Sequence, residues 1–378
     1  MANTLTSLAP VLYSAAQQVS NEPFGIVDSI YTDFDNRGVA KGDKVKVPVA
    51  PTRAASDFTP AATSSSGSDA TADSVAVEIT KSRLVSWHLT GEQQRSLENG
   101  GTSQEWIRQL IAQGMRTLRN EAEVEAAKAV SLGVSRAVGT AGTTPFASNI
   151  KLLTSAHKIL YDNGAPMADL QMVMDTAAYK NLLDNSIISQ AEQAGTAEER
   201  RQGRVLRQYG FQIGASAGIY NHTKGTGANL EMAAGDEGDT TITLTDGTTW
   251  SGTVLAGDII KIGDHYYQVT SGSADVTADA EIEIAKPGLV EDVAADTAVA
   301  IQADYVGNVA FERQAVVGVM RPPIVPANPT IDQMVISDQF GMSYLLLDIA
   351  QYGQRTWELH LAHGFKAVQP EHIAAIMG

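Results

Sequence analysis

The chain has 378 residues, enough to bury a substantial core and to hold two or three domains or one main domain with insertions. Apolar residues make up 43% and charged residues 19%, which excludes a disordered chain and leaves surface suited to meeting other protein. Cysteine is absent, which excludes disulfides, thiol nucleophiles and thiolate metal sites, and a net charge of −16 argues against sequence-specific DNA reading. The charge is uneven: residues 219 to 304 carry 15 Asp and Glu against 3 Lys, so −12 lies there and −4 in the rest. There is no apolar run of about 18 residues and no basic stretch followed by an apolar one at the start, so the expectation is a soluble chain, cytoplasmic when made.

Residues 1–36 hold scattered apolar positions broken by Pro10 and Pro23, which reads as an arm ordered only by partners. Val45, Val47 and Val49 then alternate with the strand period. Of the 23 residues from Pro51 to Asp73, 15 are Ala, Ser or Thr, the composition of a flexible tip. Val75, Val77, Ile79, Lys81, Arg83, Val85, Trp87 and Leu89 share one face under period 2, so the returning segment is one long strand or two consecutive ones. A plain meander with a bulge near Lys81 fits the same pattern.

Thr102 and Glu105 have the spacing of a capping box, and Ile107, Ile111, Met115, Leu118, Ala122, Ala126 and Ala129 recur at helical spacing, predicting a long helix to about Leu132 with Gly133 as its stop. Beyond it the pattern predicts a helix over 149–163, a buried strand over 170–174, a helix over 176–185, a polar loop over 190–204 and a strand over 209–213. This is α+β, without regular βαβ alternation.

From 219 to 304 the chain turns rich in Gly, Thr and Asp, with short alternating runs at 241–244, 253–255, 259–262, 265–269, 282–284 and 298–301. Turn signals at Asp246-Gly247, Gly257-Asp258 and Gly263-Asp264 separate them, which describes a small β-barrel or sandwich inserted into the chain. Val309 to Met320 is then strand-like, Pro322, Pro323, Pro326 and Pro329 make a stiff connector, and 342–349 with 357–368 form a closing antiparallel pair.

The order of arm, long hairpin, capped helix, α+β body and closing sheet resembles the Hong Kong 97 fold of tailed-bacteriophage major capsid proteins, and the acidic insertion resembles the coat family of P-twenty-two type podoviruses. The phrases that carry the resemblance are Gly203-Arg-Val-Leu-Arg-Gln-Tyr-Gly-Phe-Gln-Ile213, Leu255-Ala-Gly-Asp-Ile-Ile-Lys-Ile262, Phe311-Glu-Arg-Gln-Ala-Val-Val317, Ile336-Ser-Asp338 and His363-Gly-Phe-Lys-Ala-Val-Gln-Pro370, and their order weighs more than any one of them. The resemblance implies an N-terminal arm (1–36), an extended hairpin loop over a neighbouring subunit (37–100), the spine helix of a peripheral domain (101–133), an axial domain (134–218 and 305–341), an inserted β-domain (219–304) and closing strands of the peripheral domain (342–378).

The function so implied is structural: self-assembly into pentamers and hexamers of an icosahedral head, made in the bacterial cytoplasm and enclosing double-stranded DNA without reading its sequence. A scaffolding protein and a portal are the implied partners, with a decoration protein as a further candidate. No enzyme chemistry, cofactor, metal or membrane is implied. The candidate interface residues are Val45, Val47, Val49, Val75, Val77, Ile79, Lys81, Arg83 and Trp87, with Lys81 and Arg83 read either as a solvated section or as partners for a neighbour's carboxylates. An encapsulin-like cargo compartment and a surface adhesin or glycan-binding protein are the rival readings.

Four motifs carry a weaker chemical signal. His360-x-x-His363 with Glu358 has metal-like composition, but the alternation of Trp357, Leu359 and Leu361 predicts a strand that turns the two imidazoles to opposite faces. Gly225-Thr-Gly227 lacks the third glycine of a dinucleotide fingerprint, and the Gly214–Gly218 stretch around Ser216 mimics a nucleophile elbow without a placed Asp and His. Asp236-Glu-Gly-Asp239 has the oxygens for calcium, but a solvated acidic turn is much the better reading.

Overall fold

The computed structural model describes residues 9–20, 25–34, 38–49, 55, 60, 73–101, 103–185, 207–276, 280–326, 331–338 and 341–378. Thr102, the expected loop 190–204 and the expected tip 51–73, apart from residues 55, 60 and 73, lie outside them. In chain order the elements begin with α1 (Ala9–Ser20), α2 (Ile26–Ser29), β1 (Tyr31–Phe34), β2 (Lys44–Val49), β3 (Asp73–Glu78), β4 (Lys81–Thr90), α3 (Gly91–Asn99) and α4 (Ser103–Ser131). The body continues as β5 (Arg136–Gly139), α5 (Lys151–Asp162), β6 (Leu170–Met174), α6 (Thr176–Asp184), β7 (Arg207–Gln208), β8 (Phe211–Ala215) and β9 (Asn221–His222). Six strands follow: β10 (Ala228–Met232), β11 (Thr241–Ser251), β12 (Ile259–Ile262), β13 (His265–Ser271), β14 (Ala280–Ile284) and β15 (Thr297–Ile301). The chain closes with β16 (Tyr305–Glu312), β17 (Val316–Arg321), β18 (Ile331–Ser337), β19 (Ser343–Gln351), β20 (Gln354–Ala367) and β21 (Ile373–Met377).

The long helix packs on a mixed sheet. β20 runs through this sheet, in the order β1-β17-β20-β19-β18, with β4 also on β20. Ile111, Met115, Leu118, Ala122 and Ala126 of α4 meet Tyr344, Leu346, Trp357, Leu359 and Leu361 in one core. The helical period therefore buries the stripe that the sequence predicts, while Ile107 and Ala129 at its ends are half-buried. A second layer is formed by β5, β21, β16, β6, β8 and β7, covered by α5 through Leu153, Ala156, Ile159 and Leu160 against Met172, Phe211, Ala310 and Ile376.

The strands of 228–301 close on themselves. Each of β12, β15, β10, β11, β14 and β13 pairs antiparallel with the next, and β13 pairs back to β12, so the six form a closed barrel with no free edge. Its core is separate and includes Leu230, Ile242, Leu244, Ile260, Ile262, Val269, Ile282 and Val299. One pairing, Tyr267 with Arg136, joins the barrel to the second layer. A polar clamp adds to it: the buried Gln268 donates to the Ser131 carbonyl at 2.5 Å and accepts from the Val134 N–H at 2.8 Å, satisfying groups that the end of α4 leaves without helical partners.

Several expectations are corrected. The arm is not bare: Leu12, Ala15, Ala16 and Val19 of α1 bury against α4, because Pro10 sits in the first helical turn, where it costs no hydrogen bond. Residues 37–100 are not one hairpin, since β2 and β3 form a two-stranded ladder while β4 belongs to the six-stranded sheet and α3 follows it. The segment Val309–Met320 is two strands in different sheets, separated by a turn at Arg313–Ala315. Residues 342–378 divide likewise, with β19 and β20 in the six-stranded sheet and β21 in the second layer. At 253–255 there is only an isolated bridge, Val254 with Ser273.

Candidate assembly surfaces

The two-stranded ladder pairs Val45 with Val77 and Val47 with Val75, and ends with Val49 opposite Asp73. Its base is held by its own chain. Val77 and Ile79 are fully buried with Val39, Val317, Val319 and Ala362, and Val45 and Val47 pack partly on this cluster. Val49 and Val75, further out, are half-buried. The returning strand breaks at Ile79, whose N–H donates to the Asp43 carbonyl while its own carbonyl accepts from Gly42, so backbone demand at the break is met locally.

Past the break, Lys81 pairs with Glu125 and Arg83 with Glu121 of α4, contacts within one chain. Of the two readings of these cations, solvated section or partners for a neighbour's carboxylates, neither anticipates this: both have partners forty or so positions along the same chain. Trp87 is half-buried against the helix at Gly114, where an added Cβ would stand 3.3 Å from its ring, so glycine there admits the indole. Of the nine candidate interface residues, the structure gathers all along the hairpin and β4, and assigns Val77, Ile79, Lys81, Arg83 and Trp87 to intrachain packing.

A surface that the sequence did not single out lies on the sheet face turned away from α4. Cross-strand register sets Leu84, His360, Leu345 and Val335 in one row over four strands. Leu84 and Val335 at its ends are 55% and 40% exposed. Leu84 escaped notice because it occupies the even, nominally polar face of β4. At the turn between β19 and β20, Tyr352 stands fully exposed.

The chemical motifs resolve into structural contacts. On β20 the His360 Nε2 lies 3.0 Å from the Glu358 carboxylate, while His363 faces the opposite side and is buried. The Ser216 hydroxyl donates to the Glu123 carboxylate at 2.7 Å, so it is a structural donor. The Gly225 N–H donates to the buried Asp258 carboxylate, which also lies 2.7 Å from His222 Nε2 and accepts from the Leu255 N–H. In the Asp236–Asp239 turn, the Asp239 carboxylate accepts from the Asp236 N–H at 3.0 Å. Among the described residues no group of three His, Asp or Glu is placed to hold a metal ion, and no helix is long and apolar enough to cross a membrane.

No protein-family model and no curated protein sequence matches the chain. Solved structures do. A chain of the capsid of the cyanophage P-SCSP1u superposes with a TM-score of 0.50 at 13% identity, covering 94% of this chain and 88% of that one. The mature capsid of bacteriophage PhiM1 gives a TM-score of 0.45 at 13% identity over 94% and 87% of the chains. A virus-like particle from Pyrococcus furiosus gives 0.42 at 8% identity over 97% of each. At such identities the likeness is one of fold, and the first of the three carries it: the chain has an α+β fold shared with a phage capsid subunit.

Proposed function

We propose that this chain is a structural subunit that assembles with copies of itself into the icosahedral head of a tailed double-stranded DNA phage. The observation that carries the reading is the match to the cyanophage capsid chain over nearly the whole length, at a TM-score of 0.50. The geometry supports it physically. The two-stranded ladder is rooted on the six-stranded sheet through Val77 and Ile79, and the exposed Leu84 and Val335 offer apolar contacts for a neighbour. The chain's side chains serve packing and contact, with no step of chemistry asked of them.

The finer roles follow from the resemblance. The ladder reaches over an adjacent subunit, the layer around β16 surrounds the symmetry axes, and the barrel is an inserted domain on the outer face, where its −12 stays away from enclosed DNA. Scaffolding, portal and decoration proteins are the remaining partners of this reading. Expression with and without co-expressed scaffold, followed by light scattering and negative-stain microscopy, tests it. Closed shells or capsomer rings are expected; a stable monomer at high concentration under both conditions overturns it.

A further inference from the structure

Strand β20 changes neighbours at His363. On one edge β4 ends its pairing there, with Lys81 directly opposite, and on the other edge β17 takes over, with Met320 opposite. The imidazole is 1% exposed, neither ring nitrogen has a hydrogen-bond partner among the described residues, and the Phe365 ring lies 5.6 Å away between centroids. A neutral ring can occupy such a place as a small aromatic. An imidazolium cannot stay so, because two charged N–H donors would be buried without acceptors.

The carboxylates whose charge acts on the ring are already engaged. Glu121 and Glu125 of α4 hold Arg83 and Lys81 of β4, and these four are the charged groups that act on the ring from the elements packed over it. Their spacing explains the fit: four residues along a helix rise about 6 Å and two along a strand about 6.6 Å, so two ion pairs match in register. Beside this seam the hairpin crosses β20. A Cβ on Gly364 would lie 2.0 Å from the Glu78 carbonyl oxygen, so the passage from β3 to β4 rests directly on the residue after His363.

We propose that His363 is an acid-sensitive latch at the root of the hairpin: on taking up a proton its ring draws Glu121 or Glu125 away from Arg83 or Lys81, freeing the start of β4, where the hairpin joins the sheet, from the long helix. The latch rests on the fold of a single chain and is independent of the assembly proposed above. Burial holds the ring's pKa down to about 4; Glu121 and Glu125 pull it upward, and Lys81 and Arg83 add to the lowering. A depressed pKa favours the latched state in full above the ordinary 6.5, and that preference is lost as pH falls from 6.5 towards about 4. One proton shifts the open-to-latched ratio by about tenfold per pH unit within the window.

Hydrogen exchange read by mass spectrometry on the unassembled full chain tests this, at pH 7 and pH 5 with intrinsic rates corrected. In the wild type, amides over 73–86 are expected to lose about thirtyfold in protection between the two conditions, while the α5 and β6 amides hold theirs. His363→Leu is expected to abolish the difference. An equal loss in the variant, or no loss in the wild type, overturns the latch. If the variant fails to fold, carbon-13 titration of the wild-type histidines decides: His363 titrating near its ordinary value also overturns it.

Discussion

At the scale of single residues, the contact that most repays testing is Glu123. From the middle of α4 its carboxylate accepts the Ile26 N–H at 2.6 Å, the Val27 N–H at 3.0 Å and the Ser216 hydroxyl at 2.7 Å. It therefore caps α2 from another element and fastens the N-terminal segment and the end of β8 to one point of the long helix. Glu123→Ala should cost about 1–3 kcal/mol in a denaturant melt, because two helix-start donors lose their acceptor. Ser216→Ala should cost less, since one of three bonds goes. Equal effects would mean that the backbone donors are satisfied without Glu123.

Asp28, in α2 itself, predicts a pH dependence. Burial raises its pKa from 3.8 to about 6; Arg119 opposes the rise, Glu123 and Asp338 add to it, and Arg313 opposes it in turn. The segment is thus held best with Asp28 protonated, a contribution complete below 3.8 and lost as pH rises through about 6. Asp28→Asn should remove that loss. Melts at pH 4 and pH 7 check it: wild type is expected to fall relative to the variant on going to the higher pH, and parallel curves would refute the assignment.

At the scale of elements, the barrel should fold alone when 219–304 is expressed by itself. Its six strands close into a ring and its core shares no member with the other three clusters. A domain of this size is marginal, so dispersed amide signals with a cooperative melt are a demanding outcome, and a disordered spectrum would show that the body completes it. Within the full chain, Gln268→Met should destabilise by about 1–3 kcal/mol, since the Ser131 carbonyl and Val134 N–H would remain buried and unpaired.

The elements also show what the sequence could carry. The long helix was legible because its apolar stripe keeps the 3.6 period for eight turns, and the barrel because its short runs alternate, with Gly263-Asp264 turning between β12 and β13, whereas Asp246-Gly247, expected as a turn, lies within β11. Helix α3 escaped because it buries no residue, so no stripe betrays it; its sign was the box of Thr90 and Gln93, whose side chains each accept the other's backbone N–H. That box, at the start of α3, stands twelve residues before the spacing at Thr102, which lies outside the described residues. Strand β10 escaped because a register shift between Ala228 and Leu230 breaks its alternation. The pairing of Lys81 and Arg83 with α4 had no local signal, for only the packed fold brings those carboxylates across.

At the scale of the whole molecule, charge bears on assembly. Copies carrying −16 each repel when brought together, and three quarters of that charge lies in residues 219–304. Contacts made by exposed apolar residues such as Leu84 and Val335 gain nothing from charge, so repulsion opposes association without setting its geometry. Salt shortens the reach of that repulsion, from about 30 Å at 0.01 M to about 8 Å at 0.15 M. The concentration needed for assembly should therefore fall as salt rises over this range, and light scattering at fixed protein concentration should show faster and fuller growth. A chain in which 228–301 is replaced by a short linker should respond less, having shed most of its charge. Shells that dissolve as salt rises would place ion pairs between subunits at the centre of the contact, and the apolar face on the outer side of the sheet would lose its claim to hold neighbours together.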